Sequence, residues 1–196
     1  MTLLDKFLNF LKDENGYIST ASAKEQGVNG RVLGNLVNDN TLEKVAHGLY
    51  MSSELWPDPF YISQHRCSKI VFSHLTALYL HGFSNRDPLI YMVTAPTGSS
   101  STLLKEDQFR FYYNSQKLIN LGVEVIDSPH GNPIRVFNIE RTLCDCIKYI
   151  DKLDRDLVLT GLKEYLRSDH KDSIKLMEYA TALKIGDKMH QYLEVL

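Results

Sequence analysis

Apolar residues Leu3, Leu4, Phe7, Leu8 and Leu11 recur at helical spacing, with Asp5, Lys6, Asn9 and Lys12 between them. That pattern predicts an amphipathic helix from about 3 to 13, ended by Asn15 and Gly16. Tyr17 and Ile18 read as a short extended link. Ser19 or Thr20 is placed to cap a second short helix through about 26, closed by Gly27. Asn29 is placed to cap a third from about 30 to 38, and Asp39 and Asn40 break it. Two short β-prone runs follow, at 42–45 and 49–51. Ala46, His47 and Gly48 join them as a tight hairpin turn. Helix, helix, tight turn, helix and hairpin is the order of a winged helix-turn-helix.

A connector follows at 55–59, with Trp56, Pro57 and Pro59. The expected division is therefore 1–54 and 55–196. The second part has mixed patterning. Ser73 is placed to cap a helix through about 81, stopped by Gly82. Strands are expected at 89–94, 109–113, 123–126 and 134–137, and 98–101 reads as a polar loop. From 139 onward four helices are expected, at about 139–149, 154–167, 173–183 and on to 193. The fold class is α+β: a winged helix-turn-helix domain, then a mixed α/β domain ending in a helical bundle.

The third helix is the most informative segment. At about 100° per residue, Val32, Leu33, Leu36 and Val37 share one side, and Arg31, Gly34, Asn35 and Asn38 the other. Arg addresses guanine bidentately and Asn adenine. Gly34 keeps this face low. Ser19, Thr20, Ser22 and Lys24 on the second helix, and Asn29 before the third, suit phosphate contacts. Lys44 and His47 do so on the hairpin, and Arg66 just beyond the connector. The whole chain has a formal net charge of −2. Residues 1–50 hold five Lys or Arg against six Asp or Glu, a net of −1. A domain with so little positive charge needs a local patch to hold DNA. Lys148, Lys152, Arg155, Lys163, Arg167 and Lys171 give the C-terminal helices a basic bias.

Other chemistries lack their signatures. The 43% hydrophobic and 23% charged composition is that of an ordinary globular chain. The three cysteines, Cys67, Cys144 and Cys146, form no C-x-x-C, which points to free thiols and a cytoplasmic location. No apolar run is long enough to span a membrane, and the N-terminus does not read as a signal peptide. The seven histidines form no metal-binding set, so no metal and no cofactor are expected. A nuclease would need an acidic-x-Lys on a strand, yet the one example, Asp169 to Lys171, lies between helices. A nucleotidyltransferase would want D-x-D on a strand after Gly98 and Ser99, yet Asp154 to Asp156 begins a helix. No enzyme, and no catalytic residue, is expected. Arg141 and Asp145, four apart, suit pairing along a helix capped by Asn138.

Three blocks carry a resemblance. The first comprises GYIS at 16–19, GVN at 27–29, Leu33 and Leu36, and LEKVAHGLY at 42–50. The second is FSHLTALYLHG at 72–82, and the third IRVFNIERTLCD at 134–145. In this order they resemble the AbiEi antitoxins of the abortive-infection AbiE systems, type IV toxin–antitoxin pairs, along nearly the whole chain. The resemblance implies an N-terminal winged helix that binds inverted repeats in its own promoter and represses its operon. It implies a C-terminal antitoxin domain that counteracts a nucleotidyltransferase-like toxin without needing a stable complex. It also implies a monomer in solution, with two copies on the operator and bent DNA. Arg141, Asp145, Lys148, Lys152, Arg155 and Lys163 are the candidate residues for toxin control, with a structural role as the alternative for Arg141 and Asp145. One departure is the turn at Asp39 and Asn40, where a Gly and a basic residue are common in such domains. Two other functions stay open: a one-component regulator sensing a ligand in its C-terminal domain, and a winged helix that docks a protein.

Overall fold

The computed structural model describes residues 3–195. Among them are ten α-helices, a three-stranded sheet and a five-stranded sheet, so the protein is mixed α+β. The chain divides into two compact units. One runs to Ser68 and takes in Asp127–Ile134; the other comprises Lys69–Ile126 and Arg135 onward.

The first unit contains α1 (Leu3–Asp13), β1 (Tyr17–Ser19), α2 (Thr20–Glu25), α3 (Gly30–Asn38), β2 (Leu42–Ala46), β3 (Leu49–Ser52) and α4 (Pro59–Arg66). The strands are antiparallel in the order β1-β3-β2, with Tyr17 opposite Met51 and Leu42 opposite Ser52. Phe7 and Leu11 of α1, Ala23 of α2 and Leu33 and Leu36 of α3 meet Ile18 and Leu42 in one core. These are the inward positions that helical spacing assigns. Leu3 and Leu4, expected on the same face, have side chains outside the described set. Asn40 ends α3 with φ of 61°, a left-handed conformation that Asn tolerates.

α4 begins at the last residue of the expected connector and runs through a stretch where no helix is expected. Pro59 occupies its first position, where a missing N–H costs nothing. The helix buries Phe60 and packs Tyr61 and Ile62 against Tyr17, Leu49 and Met51, so the division falls after Ser68 and not at residue 54. Asp58 holds this end of the unit together. Its buried carboxylate caps α4, accepting from the N–H groups of Phe60 (3.0 Å) and Tyr61 (3.1 Å). It also accepts from Ser128 Oγ and from Asn132 Nδ2 (2.8 Å). Asn15 Nδ2 donates to the Gly131 carbonyl at 2.8 Å, a second tie to the same loop.

The second unit carries β4 (Val71–Phe72), α5 (His74–Leu80), β5 (Tyr91–Pro96), β6 (Phe109–Asn114), α6 (Gln116–Ile119), β7 (Val123–Asp127) up to Ile126 and β8 (Pro133–Phe137) from Arg135. Four helices follow: α7 (Ile139–Lys148), α8 (Arg155–Arg167), α9 (Ser173–Ala182) and α10 (Gly186–Val195). The strand order is β6-β5-β4-β8-β7. β4 pairs antiparallel with β5 and parallel with β8, and β5 pairs parallel with β6. Leu78 of α5, Leu143, Cys144 and Ile147 of α7, Val158 and Leu162 of α8, and Leu176 and Ala180 of α9 form the helical core. Among the described residues, no helix is long and apolar enough to cross a membrane.

Candidate nucleic-acid interface

α3 starts where Asn29 caps it, accepting from the N–H groups of Arg31 (3.0 Å) and Val32 (3.1 Å). Leu33 and Leu36 are buried, while Arg31, Gly34, Asn35 and Asn38 are exposed. Among the described residues, the side chains of Arg31, Asn35 and Asn38 take part in no hydrogen bond or ion pair. Gly34 sits within this face, and a Cβ built on it meets nothing within 4 Å. A mid-helix glycine costs roughly 1 kcal/mol relative to alanine. No contact within the molecule accounts for that cost at Gly34.

The first residue of α2 lies against the hairpin turn. Thr20 N donates to the Gly48 carbonyl at 2.9 Å, with Thr20 Oγ1 3.3 Å from the same oxygen. This brings the start of α2 to the turn that carries His47. Lys24, Lys44 and His47 are exposed, as is Arg66 on the last turn of α4. Ser19 caps α2, one of the two residues expected to do so, and its hydroxyl is paired with that of Ser22. Ser19 Oγ accepts from Ser22 N at 3.0 Å and lies 2.9 Å from Ser22 Oγ, and both residues are half-buried. One of the two hydroxyls donates to the other, so the pair keeps a single O–H for a phosphate. Asn29 likewise has its carbonyl oxygen engaged in its own cap.

In the second unit the candidate residues separate. Arg141 is 0% exposed. Its Nε donates to Asp145 at 3.0 Å, and its Nη1 donates to the carbonyls of Leu118 (2.9 Å) and Leu121 (3.0 Å). The guanidinium also lies 4.4 Å from the centre of the Phe137 ring. Gly122, with φ of +76°, lets the chain pass this side chain, since a Cβ there would stand 2.8 Å from Arg141 Cβ. Burial pushes the Asp145 carboxyl up, against the pull of Arg141. This pair therefore offers no surface to a partner. Its role is to tie α7 to the chain around α6. Lys148 is half-buried beside Tyr149, whereas Lys152, Arg155 and Lys163 are exposed.

Two polar clusters have no signal in the sequence. Glu140, buried in α7, accepts from Tyr165 Oη of α8 (3.1 Å) and pairs with Lys175 of α9 (3.1 Å). Its partners lie 25 and 35 positions along the chain, beyond any local pattern. The other cluster surrounds His74. Ser73, expected to cap α5, makes no capping bond. Its Oγ accepts from Thr94 Oγ1 and lies against His74 Nδ1, both at 2.8 Å. His74 has φ of 52°, is 1% exposed and stacks on Tyr112 at 3.6 Å between ring centres. Burial, then the positive charges of Arg141, Lys148 and Arg110, lower its pKa to about 3. It is a neutral, enclosed ring held in strained backbone. His81 ends α5, with Nε2 2.7 Å from the Phe137 carbonyl.

The second and third resemblance blocks are neighbours in this unit: Phe72 pairs in register with Val136, and His81 reaches Phe137. Among the described residues, no three His, Cys, Asp or Glu side chains gather as metal ligands.

No protein-family model matches the chain, and no curated protein matches it. The crystal structure of the RV2827C protein from Mycobacterium tuberculosis is similar to it, with 10% identity and a TM-score of 0.51. The likeness covers 96% of this chain and 77% of that one. At such identity it speaks for the fold alone.

Proposed function

We propose that the chain is a DNA-binding autorepressor and the antitoxin of a type IV toxin–antitoxin pair. In this reading the first unit is a winged helix-turn-helix, with α3 as reading helix and the β2–β3 hairpin as wing. The observation that carries it is the outer face of α3. Arg31, Asn35 and Asn38 stand exposed with their donors and acceptors unengaged. Between them is a glycine that no internal contact requires. Arg31 would address guanine, Asn35 and Asn38 adenine, and Lys24, Lys44, His47 and Arg66 the phosphates. The three resemblance blocks support the antitoxin half, which acts on a nucleotidyltransferase-like toxin. For that role the exposed Lys152, Arg155 and Lys163 remain candidates, whereas Arg141 and Asp145 serve the fold.

A gel-shift titration against the DNA upstream of the chain's own gene, with a scrambled duplex as control and at two salt concentrations, tests the repressor. Specific retardation that weakens steeply with salt and is lost in an Arg31→Ala/Asn35→Ala variant is the expected result. Absence of a shift at micromolar protein would overturn it and leave the first unit as a protein-docking module. Co-expression with the toxin of the same operon tests the antitoxin: growth is restored without co-purification. Continued toxicity would refute that half.

A further inference from the structure

One cavity belongs to the first unit and uses none of the exposed α3 face. It measures about 840 Å³, and its lining includes Leu8, Leu11 and Lys12 of α1, Glu54 and Trp56 after β3, and His130 of the 127–134 loop. Small-molecule sites typically occupy about 300–1,000 Å³. Its wall is fixed by polar ties, since Asn15 holds Gly131 and Asp58 holds Ser128 and Asn132.

The chemistry of the lining is specific. Trp56, the single tryptophan of the chain, is 85% exposed, so most of the indole is left unpacked by the protein. Flat aromatic faces stack nucleobases irrespective of sequence. Lys12 and the His130 ring form no ion pair among the described residues. Both are donors suited to an anionic oxygen. Glu54 is the one acidic residue of the lining and an acceptor for an amino group. A flat face, two donors for an anion and a lone carboxylate fit a ligand that is planar, aminated and phosphorylated. We propose that this cavity binds a purine mononucleotide. The base stacks on Trp56, its exocyclic amine donates to Glu54, and its phosphate meets Lys12 and His130. The site shares no residue with the exposed face of α3.

Because Trp56 is the only tryptophan, its fluorescence reports the site directly. The full chain is titrated with adenosine monophosphate, with adenosine and ribose 5-phosphate as separate arms. Calorimetry repeats the titrations on Lys12→Ala and Trp56→Phe. Saturable quenching by the mononucleotide is expected, with adenosine weaker by about tenfold or more and ribose 5-phosphate giving no quenching. Lys12→Ala, which leaves only His130 on the phosphate, should cut the preference for the mononucleotide several-fold while leaving adenosine binding unchanged, a result that a folding defect does not produce. No saturable response to the mononucleotide, or equal binding of mononucleotide and adenosine by the unaltered chain, overturns the proposal. So does a Lys12→Ala variant that keeps its preference in full.

Discussion

α3 and α7 are built from similar sequence and meet opposite fates. Each is capped by an Asn, places an Arg two or three positions after the cap, and puts a polar residue four positions beyond that Arg: Asn35 after Arg31, Asp145 after Arg141. In α3 the Arg and its neighbours face solvent. In α7 the Arg is enclosed, with an ion pair, two carbonyls and an aromatic ring around it. The same side chain is thus exposed and unengaged in one helix and an internal strut in the other. What distinguishes them is the number of layers packed on the helix. α3 packs against its neighbours on one side, while α7 is buried over nearly its whole length, from Glu140 to Ile147.

The contrast can be broken most sharply at Arg141. Arg141→Ala should cost about 3–5 kcal/mol in urea denaturation, because it strands a buried carboxylate. Arg141→Met with Asp145→Leu should recover most of the loss, since the second change removes the stranded charge. A loss of about 0.5 kcal/mol, typical of surface sites, would place Arg141 in solvent instead. Arg31→Ala should do the reverse. Stability should stay within about 0.5 kcal/mol, while operator affinity falls by about 1–3 kcal/mol with relaxed base preference. Equal operator affinity for the variant and the unaltered chain would remove Arg31 from the reading set.

His74 sharpens the comparison through pH. Its folded pKa, about 3, lies below the ordinary value of 6.5. The unfolded chain therefore takes up the proton first. The stability contributed by neutral His74 is complete above about pH 6.5 and is lost as pH falls towards 3, at roughly 1.4 kcal/mol per unit. His74→Asn tolerates the positive φ and cannot titrate, so the parent's stability relative to the variant should fall steadily as pH drops from about 6.5 towards 3. Parallel stability curves for the two proteins would contradict this. The smallest effect is expected at Gly34. Gly34→Ala should raise stability by about 0.5–1 kcal/mol and weaken operator binding, because the added methyl meets nothing inside the molecule. An alanine variant that is more stable and still binds the operator fully would remove the glycine from the contact.

Much of the first unit was legible because its signals are local. The spacing of Phe7 and Leu11 marks α1, the caps at Ser19 and Asn29 mark α2 and α3, and the breaks at Gly27 and Asn40 separate them. α4 was not legible, because Trp56, Pro57 and Pro59 resemble a linker until Asp58 is seen capping a helix and gripping Ser128 and Asn132, some seventy residues away. β4 was missed for a related reason: two residues carry no alternation, and its pairing with β5 and β8 makes it a strand. At the candidate interface, the polar face of α3 followed from periodicity. The pairing of the Ser22 hydroxyl with that of Ser19 did not, since a hydroxyl at a helix start reads equally well as a cap or a ligand.

The sequence by itself determined where the helices other than α4 and α6 start and stop, which face of α1 and of α3 is apolar, and that Arg31, Asn35 and Asn38 share a side. These depend on backbone geometry and on neighbours three or four residues apart. The tertiary structure alone decided that Arg141 and Asp145 are buried, that Glu140 is shared by three helices, and that Asp58 holds a loop from the far half of the chain. It also brought Lys12, Trp56 and His130 to one cavity. Burial and long-range hydrogen bonds depend on which segments pack together. A residue's spacing along the chain carries no record of the layer that will cover it.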